Sequence, residues 1–148
     1  MSASSTGLAA LAAKAPPEAV DLARMILEQA VSDERWAAQV GPVLGQRDVA
    51  RLLGKSPQAV AQDRGLLRLR QRDGRPAYPV FQFDGRRQIG GITEVVAVLG
   101  AAVEPLTVAA WLTGPNRRLC GRRPIDLLRA AQAEPVLDAA YRYARAAA

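Results

Sequence analysis

Apolar residues recur at helical spacing along residues 46–65, and polar residues fill the positions between them. Ala50 is small, as a close crossing of two helices requires, and Gly54 occupies the turn between them. Val60 directs the second helix back toward the same core. The apolar face of the first helix is formed by Val49, Leu52 and Leu53. These spacings predict a helix, a tight turn and a short second helix, which is the pattern of a helix-turn-helix.

The second helix of this motif has a clear start and an early end. Ser56 can accept a hydrogen bond from an unpaired backbone N–H, and the fixed φ of Pro57 suits the first helical position. A standard motif has a second apolar residue three positions after Val60, where this chain has Asp63, and Gly65 is expected to end the helix early. We therefore expect a short helix whose binding surface is completed by the residues after it.

The next segment predicts a β-hairpin. Apolar and charged residues alternate in the later part of residues 66–70, and Asp73 with Gly74 is a turn signal. Residues 78–83 are rich in strand-forming residues and predict the second strand. Alternate positions of one strand face inward, so we expect the aromatic residues of this run to form the core of the hairpin: Tyr78, Phe81 and Phe83. The pattern resembles a winged, excisionase- or MerR-like variant of the motif.

Helical periodicity extends over the rest of the chain. Residues 1–16 predict a flexible arm, and residues 18–40 predict helix, with Ser32 and Asp33 as a division into two. This helical segment either packs on its own domain or serves dimerisation. Four more helices are predicted at 92–100, with Thr93 as cap, and at 106–112, 125–131 and 134–146. The expected fold is mainly α: residues 17–90 form the first helix and the winged helix-turn-helix, and residues 91–148 form a small all-helical domain.

The positive charge of the chain lies on the predicted motif. The 148 residues have a net charge of +6, and residues 46–87 alone carry ten basic and four acidic residues. Most of the basic residues are arginine, whose forked donors suit phosphate and guanine. We expect double-stranded DNA as partner, with Gln58, Gln62 and Arg64 reading bases. The alternative is an arginine-rich surface that only maintains solubility. The remaining predicted DNA contacts are Lys55, Ser56, Arg68, Arg70, Arg72 and Arg75.

Composition argues against most catalytic chemistry. The chain has no histidine and one cysteine, Cys120, so a zinc site and a histidine base are not expected. No phosphate-binding glycine motif is present. We predict a protein that is not an enzyme and has no metal or cofactor. The remaining catalytic alternative is a small hydrolase or transferase that uses the carboxylates of Asp126, Glu134 and Asp138. The chain lacks a signal-peptide pattern and a long apolar run, so we expect a cytoplasmic protein without a membrane span.

The second half of the chain resembles a known family. A tryptophan helix is followed by a Pro-Asn…Leu-x-Gly-x-x-Pro loop, a Leu-Leu helix and a helix with a Val-Leu pair. This order resembles the C-terminal domain of the Xre/MbcA/ParS antitoxins over roughly residues 92–148. The matching residues are Trp111, Pro115, Asn116, Leu119, Gly121, Pro124, Leu127, Leu128, Val136 and Leu137.

The resemblance implies an antitoxin that binds and neutralises a RES-type toxin, a family that degrades NAD, and that also binds its own promoter. Tyrosine and arginine are effective interface anchors, so the expected toxin contacts lie on the last helix. A homodimer is expected because a palindromic operator is most simply read by a two-fold dimer. The alternative is a stand-alone DNA-binding regulator or architectural protein without a toxin partner. The expected toxin contacts are Tyr141, Arg142, Tyr143 and Arg145.

Overall fold

The structure is a computed structural model that describes residues 17–148, without the side chains of residues 28–36 and 39. The chain divides into two compact units, Met1–Ala38 and Gln39–Ala148. The described residues are about 60% helix, with small antiparallel sheets, which confirms the mainly α fold class. The predicted flexible arm, residues 1–16, lies outside the described residues, and the predicted domain boundary at residue 90 stays a prediction.

Helix α1, Pro17–Val40, is one continuous helix of 24 residues. The predicted division at Ser32 and Asp33 is therefore wrong. Serine and aspartate favour helix starts because their side chains can accept backbone hydrogen bonds, but they are also tolerated inside a helix that continues on both sides. Four large apolar side chains of α1 are exposed to between 59% and 65%: Leu22, Met25, Ile26 and Leu27.

The second unit begins with a two-helix segment, α2 at Gln46–Leu53 and α3 at Pro57–Gln62. Gly54 ends α2 in the left-handed conformation, with φ of 66°, so the chain turns sharply where a side chain would be strained. Ser56 Oγ accepts a hydrogen bond from Ala59 N at 3.1 Å, which confirms the predicted cap. Val49, Ala50 and Val60 are buried together with Leu66, Tyr78 and Phe83 in one hydrophobic cluster.

Two small sheets accompany these helices. Strands β1 (Val43–Leu44), β2 (Leu69–Arg70) and β3 (Pro76–Pro79) form a three-stranded antiparallel sheet in the order β1-β3-β2. In the β2–β3 hairpin Leu69 pairs with Ala77, and the turn contains the predicted Asp73 and Gly74. Strands β4 (Phe83–Asp84) and β5 (Arg87–Gln88) form a second hairpin.

The predicted single strand over residues 78–83 is wrong. Strand β3 ends at Pro79, Val80–Gln82 forms a 3₁₀ turn, and Phe83 belongs to the next hairpin. Tyr78 and Phe83 are buried as expected, whereas Phe81 is only half-buried. At this interruption the Gln82 side chain turns inward. Its amide forms hydrogen bonds with the backbone of Leu67, as the backbone of a neighbouring strand would.

The rest of the unit is helical: α4 (Ile92–Gly100), α5 (Pro105–Thr113), α6 (Pro124–Arg129) and α7 (Ala133–Ala147). These bounds lie close to the predicted ones. Helix α4 packs on α7, and α6 contacts both α5 and α7. The core of these helices includes Val95, Leu99, Leu112, Ile125 and Val136, each no more than 1% exposed.

The sequence predicted Thr93 as the cap of α4, and this prediction is wrong. Gly91 holds the cap position without a side-chain hydrogen bond. Thr93 Oγ1 instead donates to Gln88 Oε1 at 2.9 Å and approaches the carbonyl oxygen of Gly65 at 3.4 Å. These bonds connect α4 to the chain that follows α3.

Candidate functional site

The exposed side of α3 carries two of the three predicted base readers. Gln58 and Gln62 lie four residues apart, which places them on one helix face, and both are exposed. Val60, between them, is fully buried and fixes the helix against the core. Arg64 follows the helix and is also exposed. With six residues, α3 is about 9 Å long, so its face can meet only a short stretch of any partner.

Three polar contacts hold the ends of α3. Lys55 Nζ, just before the helix, lies 3.5 Å from Asp63 Oδ2, just after it. Asp63 Oδ1 accepts a hydrogen bond from Gly65 N at 2.8 Å. Arg68 Nη1 donates to the carbonyl oxygen of Ala61 at 3.2 Å, where a cation also complements the negative end of the helix dipole. Asp63, the polar residue in an expected apolar position, therefore terminates α3 and orders the turn after it.

The β2–β3 hairpin presents the other predicted cations beside α3. Arg68, Arg70, Arg72 and Arg75 are all exposed. Arg75 Nε lies 3.3 Å from Asp73 Oδ2 within the turn. Asp73 Oδ1 also accepts a hydrogen bond from Arg75 N at 2.9 Å, so the carboxylate orders the tip of the hairpin. Arg70 and Arg75 lie on the two sides of this turn.

A groove of about 530 Å³ separates α3 from the helices that follow the hairpins. Gln62, Arg64 and Arg68 lie on one side of the groove, and Val96 and Val108 lie on the other. A smaller groove of about 230 Å³ lies between the β2–β3 hairpin and Pro105, at the start of α5. The hairpin therefore lies beside the first turn of α5.

Sequence reasoning missed the residue that positions the hairpins. Gln82 is fully buried, and its amide accepts from Leu67 N at 2.9 Å and donates to the carbonyl oxygen of Leu67 at 2.9 Å. Gln88 Nε2 donates to the carbonyl oxygen of Gly65 at 2.8 Å and to Gln82 Oε1 at 3.2 Å. No local signal marks Gln82, because a polar residue between Phe81 and Phe83 fits the outward position of an alternating strand.

The last helix carries the second predicted site. Tyr141 is 58% exposed and Tyr143 is 38% exposed, and Arg142 and Arg145 are exposed as well. Arg142 Nε lies 3.2 Å from Asp138 Oδ2, one turn earlier. The Tyr143 ring contacts Trp111 of α5, with ring centroids 6.3 Å apart and planes inclined by 55°. The Tyr143 ring therefore packs against Trp111, while most of the Tyr141 side chain is exposed to solvent.

The described residues contain no cluster of three or more histidine, cysteine, aspartate or glutamate side chains that could hold a metal ion. Within residues 17–148, no helix has the length and apolar character needed to cross a membrane. Comparison of the chain with protein-family models, with curated proteins and with solved structures gave no match.

Proposed function

We propose that the protein is an antitoxin that binds its own promoter DNA through residues 46–87 and a RES-type toxin through its last helix. The observation that carries the DNA-binding part is the geometry of the two-helix segment. Helix α3 is fixed by buried Val60 and presents Gln58 and Gln62 on one exposed face. In this proposal the segment is a winged helix-turn-helix, and the β2–β3 hairpin is its wing.

The charge of the region supports this proposal. The surface around α3 and the hairpin includes Lys55, Arg64, Arg68 and Arg70, all exposed. Cations near an exposed helix face attract the phosphate backbone without reading sequence, and glutamine and arginine at that face can discriminate bases. Ser56 contributes by capping α3, so that its effect on DNA is to orient the helix.

The toxin-binding part of the proposal comes from the resemblance of residues 92–148 to the Xre/MbcA/ParS antitoxins. The exposed Tyr141, Arg142 and Arg145 supply residue types that are common at the centre of protein interfaces. In this function the protein acts by binding, in the cytoplasm, as a homodimer, and needs no metal or cofactor of its own.

The test of DNA binding is fluorescence anisotropy with a labelled duplex from upstream of the gene, measured between 50 and 300 mM salt. Neutralising Z phosphates gives a log–log slope near −0.9Z, so Arg70→Ala should reduce the slope by about one unit. Gln62→Ala should reduce the preference for this duplex over a scrambled one by roughly 1–3 kcal/mol.

Arg145→Ala is the matched control, because it removes an exposed arginine from the last helix. Its slope should equal that of the wild type. A wild-type slope near zero, or equal slopes for the Arg70 and Arg145 variants, would refute DNA contact at the hairpin.

The second candidate function is a stand-alone DNA-binding regulator, which the geometry of α3 and the hairpin supports equally well. Co-expression with a RES-type toxin separates the two functions. An antitoxin restores growth of cells that make the toxin, and Tyr141→Ala should weaken the rescue. A regulator without a toxin partner does not restore the growth of cells that make the toxin.

A further inference from the structure

The β4–β5 hairpin carries two adjacent cations that the DNA contacts named above leave out. Arg86 lies in its two-residue turn and Arg87 begins β5, and both are exposed. Among the described side chains neither arginine has an ion pair. Asp84, which pairs with Arg87 across the hairpin, is the only acidic residue on these two strands and their turn. The tip of the hairpin therefore has a net positive charge that the described side chains leave available to a partner.

Hydrogen bonds hold this hairpin beside the end of α3. Gln88, the residue after Arg87, donates from Nε2 to the carbonyl oxygen of Gly65 at 2.8 Å. Thr93 Oγ1 donates to Gln88 Oε1 at 2.9 Å, so both polar atoms of the Gln88 amide are engaged. Gly65 directly follows Arg64, which is one of the predicted base readers. The strand that carries Arg87 is therefore joined to the chain at the C-terminal end of α3.

The other strand of the hairpin is anchored in the same core as α3. Phe83 is 8% exposed and belongs to the hydrophobic cluster that contains Val60 of α3. Gln82, the residue before it, forms two hydrogen bonds with the backbone of Leu67. Both strands are thus attached to the segment around α3, so the two arginines have a defined place beside the helix.

The dimensions of DNA make phosphate the expected ligand of a cation at this place. Helix α3 is about 9 Å long, and the major groove of DNA is about 12 Å wide. When so short a helix lies in the groove, its ends are close to the phosphates at the edges of the groove. At least half of the hydrogen bonds in protein–DNA complexes go to phosphate and sugar, and the forked guanidinium of arginine suits phosphate.

We propose that the β4–β5 hairpin is a second phosphate-binding element of the DNA surface, in which Arg86 and Arg87 contact the backbone beside the base pairs that α3 meets. This inference rests on the proposed function, since it requires α3 to bind DNA. The two contacts add affinity and fix the register of the short helix on the duplex, and they carry no sequence preference of their own.

The experiment uses the full-length chain and the variant Arg86→Gln/Arg87→Gln, which removes both charges and keeps long polar side chains. Arg117→Gln/Arg118→Gln is the matched control, because these two arginines are also adjacent and exposed and lie outside the hairpin. Fluorescence anisotropy with the promoter duplex and with a scrambled duplex measures the affinity between 50 and 300 mM salt.

Loss of two phosphate contacts should reduce the log–log salt slope by about two units, since each contact contributes about 0.9 to it. In about 100 mM salt the affinity should fall on the order of 10- to 100-fold, by the same factor for both duplexes. The control should stay within about threefold of the wild type. An unchanged slope in the hairpin variant, or an equal loss in the control, would overturn the inference. A larger loss for the promoter than for the scrambled duplex would indicate base reading and would overturn it as well.

The variant Asp84→Asn tests the same contact by a gain of affinity. The Asp84 carboxylate lies across the hairpin from Arg87 and repels phosphates that the arginines approach. Removal of its charge should tighten DNA binding roughly two- to fivefold at 50 mM salt and by less at 300 mM, because salt screens the repulsion. An unchanged affinity at 50 mM salt would place the hairpin away from the DNA backbone. Thermal unfolding of all three variants identifies any loss of affinity that comes from misfolding.

Failure of the two proposals gives different results. If the wild type binds neither duplex at 50 mM salt, the DNA-binding function fails and the inference fails with it. If the wild type binds and all three variants bind equally well, the DNA-binding function stands and the inference alone is overturned. If the Arg86→Gln/Arg87→Gln variant binds DNA normally but no longer rescues toxin-producing cells, the hairpin is a protein contact and the inference is overturned.

Discussion

At the scale of single residues, Gln82 connects the two hairpins with the end of the two-helix segment. Its side-chain amide pairs with both backbone polar groups of Leu67, as a neighbouring strand would, and also donates to the carbonyl oxygen of Pro79 at 3.2 Å. All of these groups are buried, so the loss of their partner carries the full cost of desolvation. The amide is therefore one of the contacts that hold the β2–β3 hairpin beside α3, together with the bond from Arg68 to Ala61.

Gln82→Met should therefore lower the free energy of unfolding by roughly 2–4 kcal/mol, because methionine fills similar space but leaves the Leu67 backbone groups unpaired. Urea denaturation followed by circular dichroism measures the change. Gln71→Met is the control, since Gln71 is exposed in the β2–β3 turn, and it should change stability by less than about 0.5 kcal/mol. Equal stabilities of the two variants would contradict a positioning role for Gln82.

At the scale of elements, the short α3 is joined closely to α4. A side chain at Gly65 would place its Cβ only 2.7 Å from Thr93 Oγ1 and 2.9 Å from Thr93 Cγ2. The missing side chain of Gly65 therefore allows α4 to approach the turn after α3. This contact explains Gly65 better than the predicted role of helix terminator, because α3 already ends at Gln62 with Asp63 as its cap.

Gly65→Ala should destabilise the protein by about 1–3 kcal/mol, since the Thr93 side chain is displaced and loses its bond to Gln88. Thr93→Ala removes the clash, so the double variant should be more stable than the sum of the two single changes predicts. A double-mutant cycle by urea denaturation measures this coupling. Additive effects would show that the two residues do not interact.

At the scale of the whole molecule, the exposed apolar residues of α1 indicate how two copies associate in the proposed homodimer. Leu22, Met25 and Ile26 follow the spacing of one helix face, and each is exposed to 59% or more. The free-energy cost of exposing apolar surface to water is about 25 cal/mol per Å². For the proposed homodimer we therefore predict a contact through α1; packing of this helix within its own chain stays the alternative that the sequence left open.

Leu22→Asp/Ile26→Asp should convert a wild-type dimer into a monomer, because charged residues would be buried unpaired in the interface. Sedimentation equilibrium measures the mass of each form. Arg24→Asp is the control: it lies two residues from each substituted position, about 200° around the helix, and should leave the dimer intact. A monomeric wild type, or a dimeric double variant, would exclude this interface.

The sequence by itself determined the features that depend on neighbours within about four residues. The helix cap at Ser56, the left-handed turn at Gly54 and the bounds of α4 follow from local hydrogen bonds and backbone conformation, so residue type and spacing were enough. The exposure of Gln58 and Gln62 followed from the burial of Val60 on the opposite side of α3.

Only the tertiary structure decided the features that depend on distant residues. The predicted strand 78–83 is interrupted where Gln82 forms hydrogen bonds with Leu67, 15 residues away. Thr93 forms hydrogen bonds with Gln88 and approaches Gly65 instead of capping α4. The two-residue strand β1 exists because β3 pairs with it. The 3₁₀ turn Arg117–Leu119 packs on α7, a contact between segments that are distant in the sequence. Propensity and spacing describe a residue's neighbours along the chain, whereas these contacts are set by which segments share a core.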